Sequence, residues 1–111
     1  MKIFLALVMA ALIPSAAMAY GPCDGQIDGV WGYKGGRNMT LIVDSNGGNR
    51  VTVIVNQQNG SEVTNGVCRL DRDGSASLSF RGNSNSGRLV IYRNGYAQGS
   101  VSGFSFEGNY R

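Results

Sequence analysis

The sequence contains no histidine, and this absence narrows the chemistry open to the protein. Histidine is the usual general base, the usual partner of a catalytic serine or cysteine, and the commonest metal ligand. Catalytic triads built on serine or cysteine are therefore excluded in their ordinary forms. We expect a protein that is not an enzyme and that carries neither a metal nor a cofactor.

Charged residues are also scarce, at 15% of the chain, and they are scattered rather than clustered. Ten Lys and Arg stand against seven Asp and Glu, which gives a formal net charge of +3. Nucleic-acid binding normally needs a concentrated stripe of cations. The composition therefore gives little support to a nucleic-acid partner, and we expect none.

The acidic residues form no complete catalytic or metal-binding motif. Asp71 and Asp73 precede a glycine in the manner of a calcium loop, but the third ligand and the distal glutamate of that motif are missing. We interpret residues 71–74 as a hairpin turn. Glu62 and Glu107 are interpreted as solvated surface groups, since nothing in the sequence fixes their separation.

The longest apolar run lies at the N terminus. Lys2 precedes apolar residues from Ile3 to Ile13, and Ala17-Met18-Ala19 has the small-x-small pattern of a signal-peptidase site. The run of about 11 residues is shorter than the roughly 20 that span a membrane. We predict a signal peptide over residues 1–19 and a bacterial protein that starts at Tyr20, is periplasmic or secreted, and has no stable membrane insertion.

Cysteine occurs only twice, at Cys23 and Cys68. In an oxidising compartment this pair is expected to form a disulfide rather than a reactive site. Residues 20–111 are enough for one domain and not for two, and the core of so small a domain is marginal by itself. We expect the bridge to stabilise the domain and to hold residues 20–22 near the rim of the fold.

Apolar and polar residues alternate along short segments after residue 19, where helical spacing is absent. Turns rich in Gly, Asn and Asp separate these segments, and Asn94-Gly95 is a strong hairpin signal. The pattern predicts eight strands. They cover residues 27–34, 39–44, 51–56, 62–70, 75–81, 88–93, 96–102 and 104–111.

The predicted strands are joined too closely for parallel pairing, which needs crossovers of about a dozen residues or more. The sequence therefore predicts an all-β fold, a small antiparallel up-and-down meander. Eight such strands can close into a barrel, which removes exposed edges and fills its own interior with side chains. A two-sheet sandwich is the alternative.

Gly29-Val30-Trp31 on the first strand, with Arg111 after the last, resembles the Gly-x-Trp start and terminal basic residue of the calycin group, which includes lipocalins, avidins and bacterial metalloprotease inhibitors. The resemblance implies that Gly29, Trp31 and Arg111 form a barrel base, with the cation over the Trp ring. Cys23 departs from the protease-inhibitor pattern, because it precedes the Trp. The resemblance also implies a carrier of a small apolar ligand as one alternative function. Its cavity would be lined by Trp31, Tyr33, Phe80, Phe104 and Phe106.

The alternation also leaves apolar residues and arginines outside the predicted barrel. Gathered on one face, they would have the composition of a protein-binding surface. The outward residues are Ile42, Ile54, Val67, Val90, Tyr92, Arg69, Arg81, Arg88 and Arg93. The loops at 35–38 and 83–87 are further candidates, because rigid scaffolds commonly present binding groups on loops. The candidate partner-binding residues are Tyr20, Arg37, Asn38, Arg81, Asn83, Asn85, Arg88 and Tyr92.

Export, a small scaffold and the missing catalytic groups favour a binding protein over an enzyme. The leading hypothesis is a periplasmic inhibitor or immunity protein that blocks a hydrolase directed at the cell envelope, by analogy with small exported inhibitors. A loop, or residues 20–24, would then occupy the partner's cleft. The alternatives are the apolar-ligand carrier and a structural envelope component, the latter suggested by the Gly, Asn and Ser content.

Overall fold

A computed structural model describes residues 22–32 and 36–111. The described chain forms eight antiparallel strands in consecutive order, and the first strand pairs with the last to close a barrel. This confirms the predicted all-β meander and its closed form. The predicted signal peptide and Tyr20 lie outside the described residues. The strands are β1 (Gly25–Trp31), β2 (Arg37–Gly47), β3 (Arg50–Gln57), β4 (Gly60–Leu70), β5 (Ala76–Arg81), β6 (Ser86–Ile91), β7 (Tyr96–Val101) and β8 (Phe104–Tyr110).

Among these residues we find no helix with the length and apolar content needed to cross a bilayer.

The strand boundaries differ from the prediction mainly at the turns. β1 begins two residues earlier than predicted, at Gly25. β2 continues past its predicted end, because a register shift between Ser45 and Gly47 lets the chain keep its pairing with β3. β6 begins at Ser86, inside the predicted loop over residues 83–87. All eight strands are nevertheless present in the predicted order.

The barrel interior is filled by the side chains that point inward along each strand. Phe106 is 1% exposed and Ile27 is not exposed at all, so both side chains are packed inside the barrel. Thr64 is a buried polar residue, and its hydroxyl donates to the carbonyl of Val53 at 2.8 Å. The buried hydrophobic residues are Ile27, Met39, Leu41, Val43, Val51, Val53, Val55, Cys68, Ala76, Leu78, Phe80, Leu89, Ile91, Ala97, Val101 and Phe106.

The outward face of β4 carries two exposed valines among its polar side chains. Cys68 faces the interior, where it meets Cys23. Because side chains alternate along a strand, Glu62 then faces inward as well. Val63 and Val67 face solvent and are 68% and 41% exposed. With Cys68 facing inward, Val63 and Val67 lie on the outer surface of the barrel.

The turns define two ends of the barrel. The disulfide end carries residues 22–24 and the connections at 48–49, 71–75 and 92–95. The tryptophan end carries Trp31, the β1–β2 connection and the connections at 58–59, 82–85 and 102–103.

The disulfide end is closed by the segment that precedes β1. Cys23 and Cys68 form the predicted disulfide, with their Cα atoms 5.7 Å apart. Pro22 is buried, and its carbonyl accepts a hydrogen bond from the Tyr110 hydroxyl. Burial, with a smaller effect of the Asp24 charge, raises the pKa of Tyr110. The expected anchoring of the segment before β1 is therefore confirmed from Pro22 onward.

The barrel closes along a pair of facing glycines. Gly29 on β1 lies opposite Gly108 on β8. A Cβ on Gly108 would collide with the Asp28 carbonyl oxygen and would lie 2.7 Å from the Gly29 Cα. The ring of Phe106 occupies the space beside Gly29, so a Cβ there would meet it at 2.5 Å. We call Gly29 and Gly108 the glycine seam.

Candidate functional site

The three residues of the expected barrel base do not come together. Trp31 closes the tryptophan end, where its Nε1 donates to the Val101 carbonyl at 2.6 Å and its ring meets Phe104 edge-on at 5.4 Å. Arg111 follows β8 at the disulfide end, and its Nε lies 2.6 Å from the Asp28 Oδ2. The expected placement of the cation over the Trp ring is therefore not observed, because the end of β8 adjoins the beginning of β1.

The backbone amides of the β5–β6 connection and the side-chain amide of Asn85 are held by one carboxylate. Glu62 accepts hydrogen bonds from the backbone N–H of Asn83 at 2.6 Å, the backbone N–H of Ser84 at 3.0 Å and the Asn85 Nδ2 at 3.0 Å. These bonds, that of Ser84 foremost, hold the pKa of Glu62 below its ordinary value. Glu62 therefore lies at the surface, as interpreted, but its carboxylate is held by hydrogen bonds to the β5–β6 connection, which the sequence interpretation missed.

Asn85 links three connections at the tryptophan end. Besides its bond to Glu62, its Oδ1 accepts from the Gln57 Nε2 at 3.3 Å and from the Ser102 hydroxyl at 3.1 Å. Both ends of its amide are thus used within the barrel. The sequence placed Asn85 among the partner-binding residues, whereas the structure gives it the role of fixing the loop.

We expect protonation of Glu62 to loosen the β5–β6 connection. A carboxylate whose pKa is lowered on folding stabilises the fold above its unfolded pKa and ceases to do so as pH falls through the folded pKa. The amide proton shifts of Asn83 and Ser84 should therefore change in acid, below the ordinary pKa of a glutamate. In Glu62→Gln the acid-induced change should disappear, and exchange of both amides at neutral pH should be faster than in the wild type.

Glu107→Gln is the matched control, because Glu107 is an exposed carboxylate on β8 that bonds to the Tyr96 hydroxyl at 2.9 Å. This variant should leave the Asn83 and Ser84 amides unchanged. Retention of the acid-induced change in Glu62→Gln would contradict the assignment.

The other predicted partner-binding residues are dispersed over the surface. Arg37 and Asn38 are exposed at the start of β2. Tyr92 lies at the disulfide end, where its hydroxyl accepts from the Gln98 Nε2 at 3.1 Å and its ring stacks on Tyr96 with centroids 5.9 Å apart. Tyr92 therefore shares no site with Arg37 and Asn38, which lie at the tryptophan end beside Trp31 and the connection at 58–59.

The residues expected to line a ligand cavity are also separated. Phe80 and Phe106 belong to the packed core, Phe104 is 40% exposed, and Trp31 covers one end of the barrel. Tyr33 lies outside the described residues. The described members of the set therefore enclose no common space, and the larger clefts open on the outer wall of the barrel.

The turn at residues 71–75 has the geometry predicted for a hairpin. Gly74 donates its backbone N–H to the Asp71 carbonyl at 3.1 Å, and the Asp73 Oδ1 accepts from the Ser75 amide at 2.9 Å. The hydrogen bond from the Ser75 hydroxyl, followed by that from its amide, lowers the pKa of Asp73. No three acidic or cysteine side chains converge as a metal site within the described part of the chain.

One part of the outer surface does bring predicted residues together. We call it the arginine wall: Val67 and Arg69 on β4, Arg81 on β5, and Arg88 and Val90 on β6. Val67 and Val90 are 41% and 36% exposed, and all three arginines are exposed. Two overlapping clefts of about 510 Å³ each lie over this wall.

The predicted apolar patch is only partly realised on the arginine wall. Ile42 and Ile54 face each other across β2 and β3 on another part of the barrel, where both are half-buried. Arg93 lies in the connection at the disulfide end. The wall therefore presents two valines rather than a large aliphatic and aromatic surface, and its arginines dominate its chemistry.

The arginines of the wall form no ion pair with a described carboxylate. Within residues 22–32 and 36–111, the ion pair of Arg111 with Asp28 is the only one. Arg69, Arg81 and Arg88 therefore present their guanidinium groups to solvent without an acidic partner among the described residues. Such groups are available to an anionic group from another molecule, which a planar guanidinium can bind through two parallel hydrogen bonds.

Comparison of the chain with protein-family models, with curated proteins and with solved structures found no match. A closed eight-stranded barrel is the shape that the calycin resemblance implies, but shape does not establish membership, because unrelated functions share folds.

Proposed function

We propose that this chain is an exported, non-enzymatic binding protein that inhibits, or confers immunity to, a hydrolase directed at the cell envelope, and that it contacts this protein partner through the arginine wall. The observation that carries the proposal is the set of exposed, unneutralised arginines beside Val67 and Val90. Arginines beside exposed apolar side chains are typical of protein interfaces. The signal-like N terminus and the disulfide support export.

The interior of the barrel favours recognition at the outer surface. The core side chains fill the space between the strands, and the two ends are covered by Trp31 and by the segment at Pro22. A molecule that binds this barrel would therefore meet its outer wall or its loops first. A rigid barrel limits the ordering that binding requires, which favours affinity for a given contact area.

The partner is expected to be acidic where it meets the wall. Three arginines that form no ion pair among the described residues attract a negatively charged surface and repel a positive one. The valines between them supply the apolar contact area that a purely electrostatic encounter lacks. The wall thus predicts a partner surface with carboxylates around a small apolar centre.

Charge reversal at the centre of the wall should weaken binding of the partner. Oxidised, tagged protein is incubated with periplasmic extract from the source cells, and the retained proteins are identified. We expect retention of a hydrolase whose activity falls when the purified binding protein is added. Arg88→Glu should weaken its retention by about tenfold or more, because it places like charges face to face.

Arg37→Glu makes the same change of charge at the start of β2, away from the wall, and should retain the partner as the wild type does. Equal losses in both variants would show a non-specific charge effect and would contradict the proposed contact surface. Recovery of no protein above the blank matrix would overturn the proposed function.

A further inference from the structure

The arginine wall contains a channel that runs along β5. Its floor is formed by Ser77 and Ser79, whose side chains are the outward residues of that strand. Ser77 pairs with Arg69 on β4, and Ser79 pairs with Arg88 on β6. Arg81 follows on β5 itself and ends the channel toward the tryptophan end. We call this space the β5 channel.

The width of the β5 channel selects an extended occupant. Neighbouring strands lie roughly 4.8 Å apart, so the side chains of β4 and β6 stand about 10 Å from each other across the serines. An α-helix with its side chains is about 10–12 Å wide and would not enter. One extended polypeptide segment fits between the rows, and the strand length from Ser77 to Arg81 offers it about 14 Å.

The charges along the channel are arranged unequally. Arg81 and Arg88 lie diagonally across the β5–β6 pair, since Arg81 pairs with Ser86 and Arg88 with Ser79. Such diagonal neighbours stand about 7–8 Å apart. At the other end, Asp71 accepts a hydrogen bond from the Ser77 hydroxyl at 3.3 Å. The channel is therefore cationic toward the tryptophan end, whereas at the disulfide end Arg69 and Asp71 contribute charges of both signs.

We propose that the β5 channel binds an extended acidic segment of the protein partner, with carboxylates at alternate positions that pair with Arg81 and Arg88. In an extended segment, side chains two residues apart lie on one face and are separated by about 7 Å, which matches the diagonal between the two arginines. The Ser79 hydroxyl makes no side-chain hydrogen bond with another described residue and is available to the segment. This inference rests on the proposed function, since it assigns the partner's contacting segment.

A synthetic probe tests the channel without the partner. A blocked hexapeptide of alternating Ser and Glu is titrated into the isotopically labelled, oxidised protein at low salt, and amide shifts are followed by NMR. We expect shifts confined to β5 and the facing parts of β4 and β6. Arg81→Ala and Arg88→Ala should each weaken binding by roughly tenfold, whereas Arg37→Ala should leave it unchanged.

Two further ligands distinguish recognition of the spacing between carboxylates from simple attraction of opposite charges. A hexapeptide of the same composition, with its three Glu adjacent and its three Ser adjacent, should bind several-fold more weakly. A sulfated oligosaccharide should bind no more tightly than the alternating peptide. Equal binding of both peptides, tighter binding of the oligosaccharide, or shifts spread over all exposed arginines would overturn the proposal.

Ser79→Val keeps the test independent of the arginines, because it fills the floor of the channel without altering its charge. This variant should weaken peptide binding while its spectrum retains the pattern of the folded barrel. A partner captured equally well by wild type, Arg81→Ala and Arg88→Ala would overturn the channel and leave the protein-binding function intact. Peptide binding in the channel without any captured partner would overturn the function and leave the channel's preference for an acidic segment in place.

Discussion

Reduction of the Cys23–Cys68 disulfide should lower the free energy of unfolding by about 4 kcal/mol, on the chain-entropy model for a bridge of this span. The two cysteines are separated by 45 positions in the sequence, so the bridge removes much of the freedom of the unfolded chain. Small domains have net stabilities of about 5–15 kcal/mol, so the loss is a large part of the whole. Urea unfolding with and without a thiol reductant measures it.

The double variant Cys23→Ala/Cys68→Ala provides the control for this experiment. Its unfolding midpoint should be close to that of the reduced wild type and should not respond to the reductant. In both reduced forms the segment at Pro22 should exchange its amides faster, because the covalent tie at the disulfide end is lost. Identical midpoints for oxidised and reduced wild type would contradict the expectation.

Introducing a single methyl group at the glycine seam should be almost as damaging. In Gly108→Ala the new Cβ meets the Asp28 carbonyl oxygen and the Gly29 Cα, which are backbone atoms held in the β1–β8 ladder. Neither can rotate away as a flexible side chain can, so β1 and β8 must separate locally. We expect a loss of about 3 kcal/mol, at the upper end of what overpacking causes. For a domain of this size the melting temperature should fall by roughly 10–20 °C.

Asn109→Ala is the matched control on the same strand, since Asn109 is exposed and faces outward next to Gly108. Surface substitutions of this kind usually change stability by less than about 0.5 kcal/mol. A melting temperature for Gly108→Ala close to that of Asn109→Ala would mean that the seam accommodates the methyl group. Calorimetry of the two variants therefore tests whether β1 and β8 can separate locally at a small cost in free energy.

The strands and their order were predictable because the alternation is locally encoded. Ala76, Leu78 and Phe80 alternate with polar residues in the sequence, and the structure buries all three. The disulfide was predictable from cysteine usage alone, and the exposed positions of Val67 and Val90 followed from the alternation. These features require no knowledge of which distant strands meet.

Features that depend on which strand termini lie at the same end of the barrel were predicted incorrectly. In a barrel with an even number of alternating strands, the last strand ends where the first begins. Trp31 ends β1, so Arg111 stands about 17 Å away along the strand, beside Asp28 instead. The bond between Asn85 and Glu62 was missed for a related reason, since it depends on which side chains of β4 and the β5–β6 connection face the same end.

The arginine wall was predictable as a composition but not as a site. Arg69, Arg81 and Arg88 lie on three consecutive strands, and only the registers of β4, β5 and β6 place them around the same two serines. The serines carry no signal of their own, because outward serines on a strand are ordinary surface residues. The channel forms because the small side chains of the two serines lie between the larger side chains of β4 and β6.

The disulfide also has a consequence for the order in which the barrel assembles. Seven of its eight strand pairings join consecutive strands, and one joins β1 to β8 across the whole chain. Once Cys23 is bonded to Cys68, the covalent path between these two strands runs through the bridge and is about half as long, which lowers the entropic penalty of closing it by about 0.6 kcal/mol. A chain oxidised before closure would therefore pair β1 with β8 at the glycine seam after sampling fewer conformations than a reduced chain.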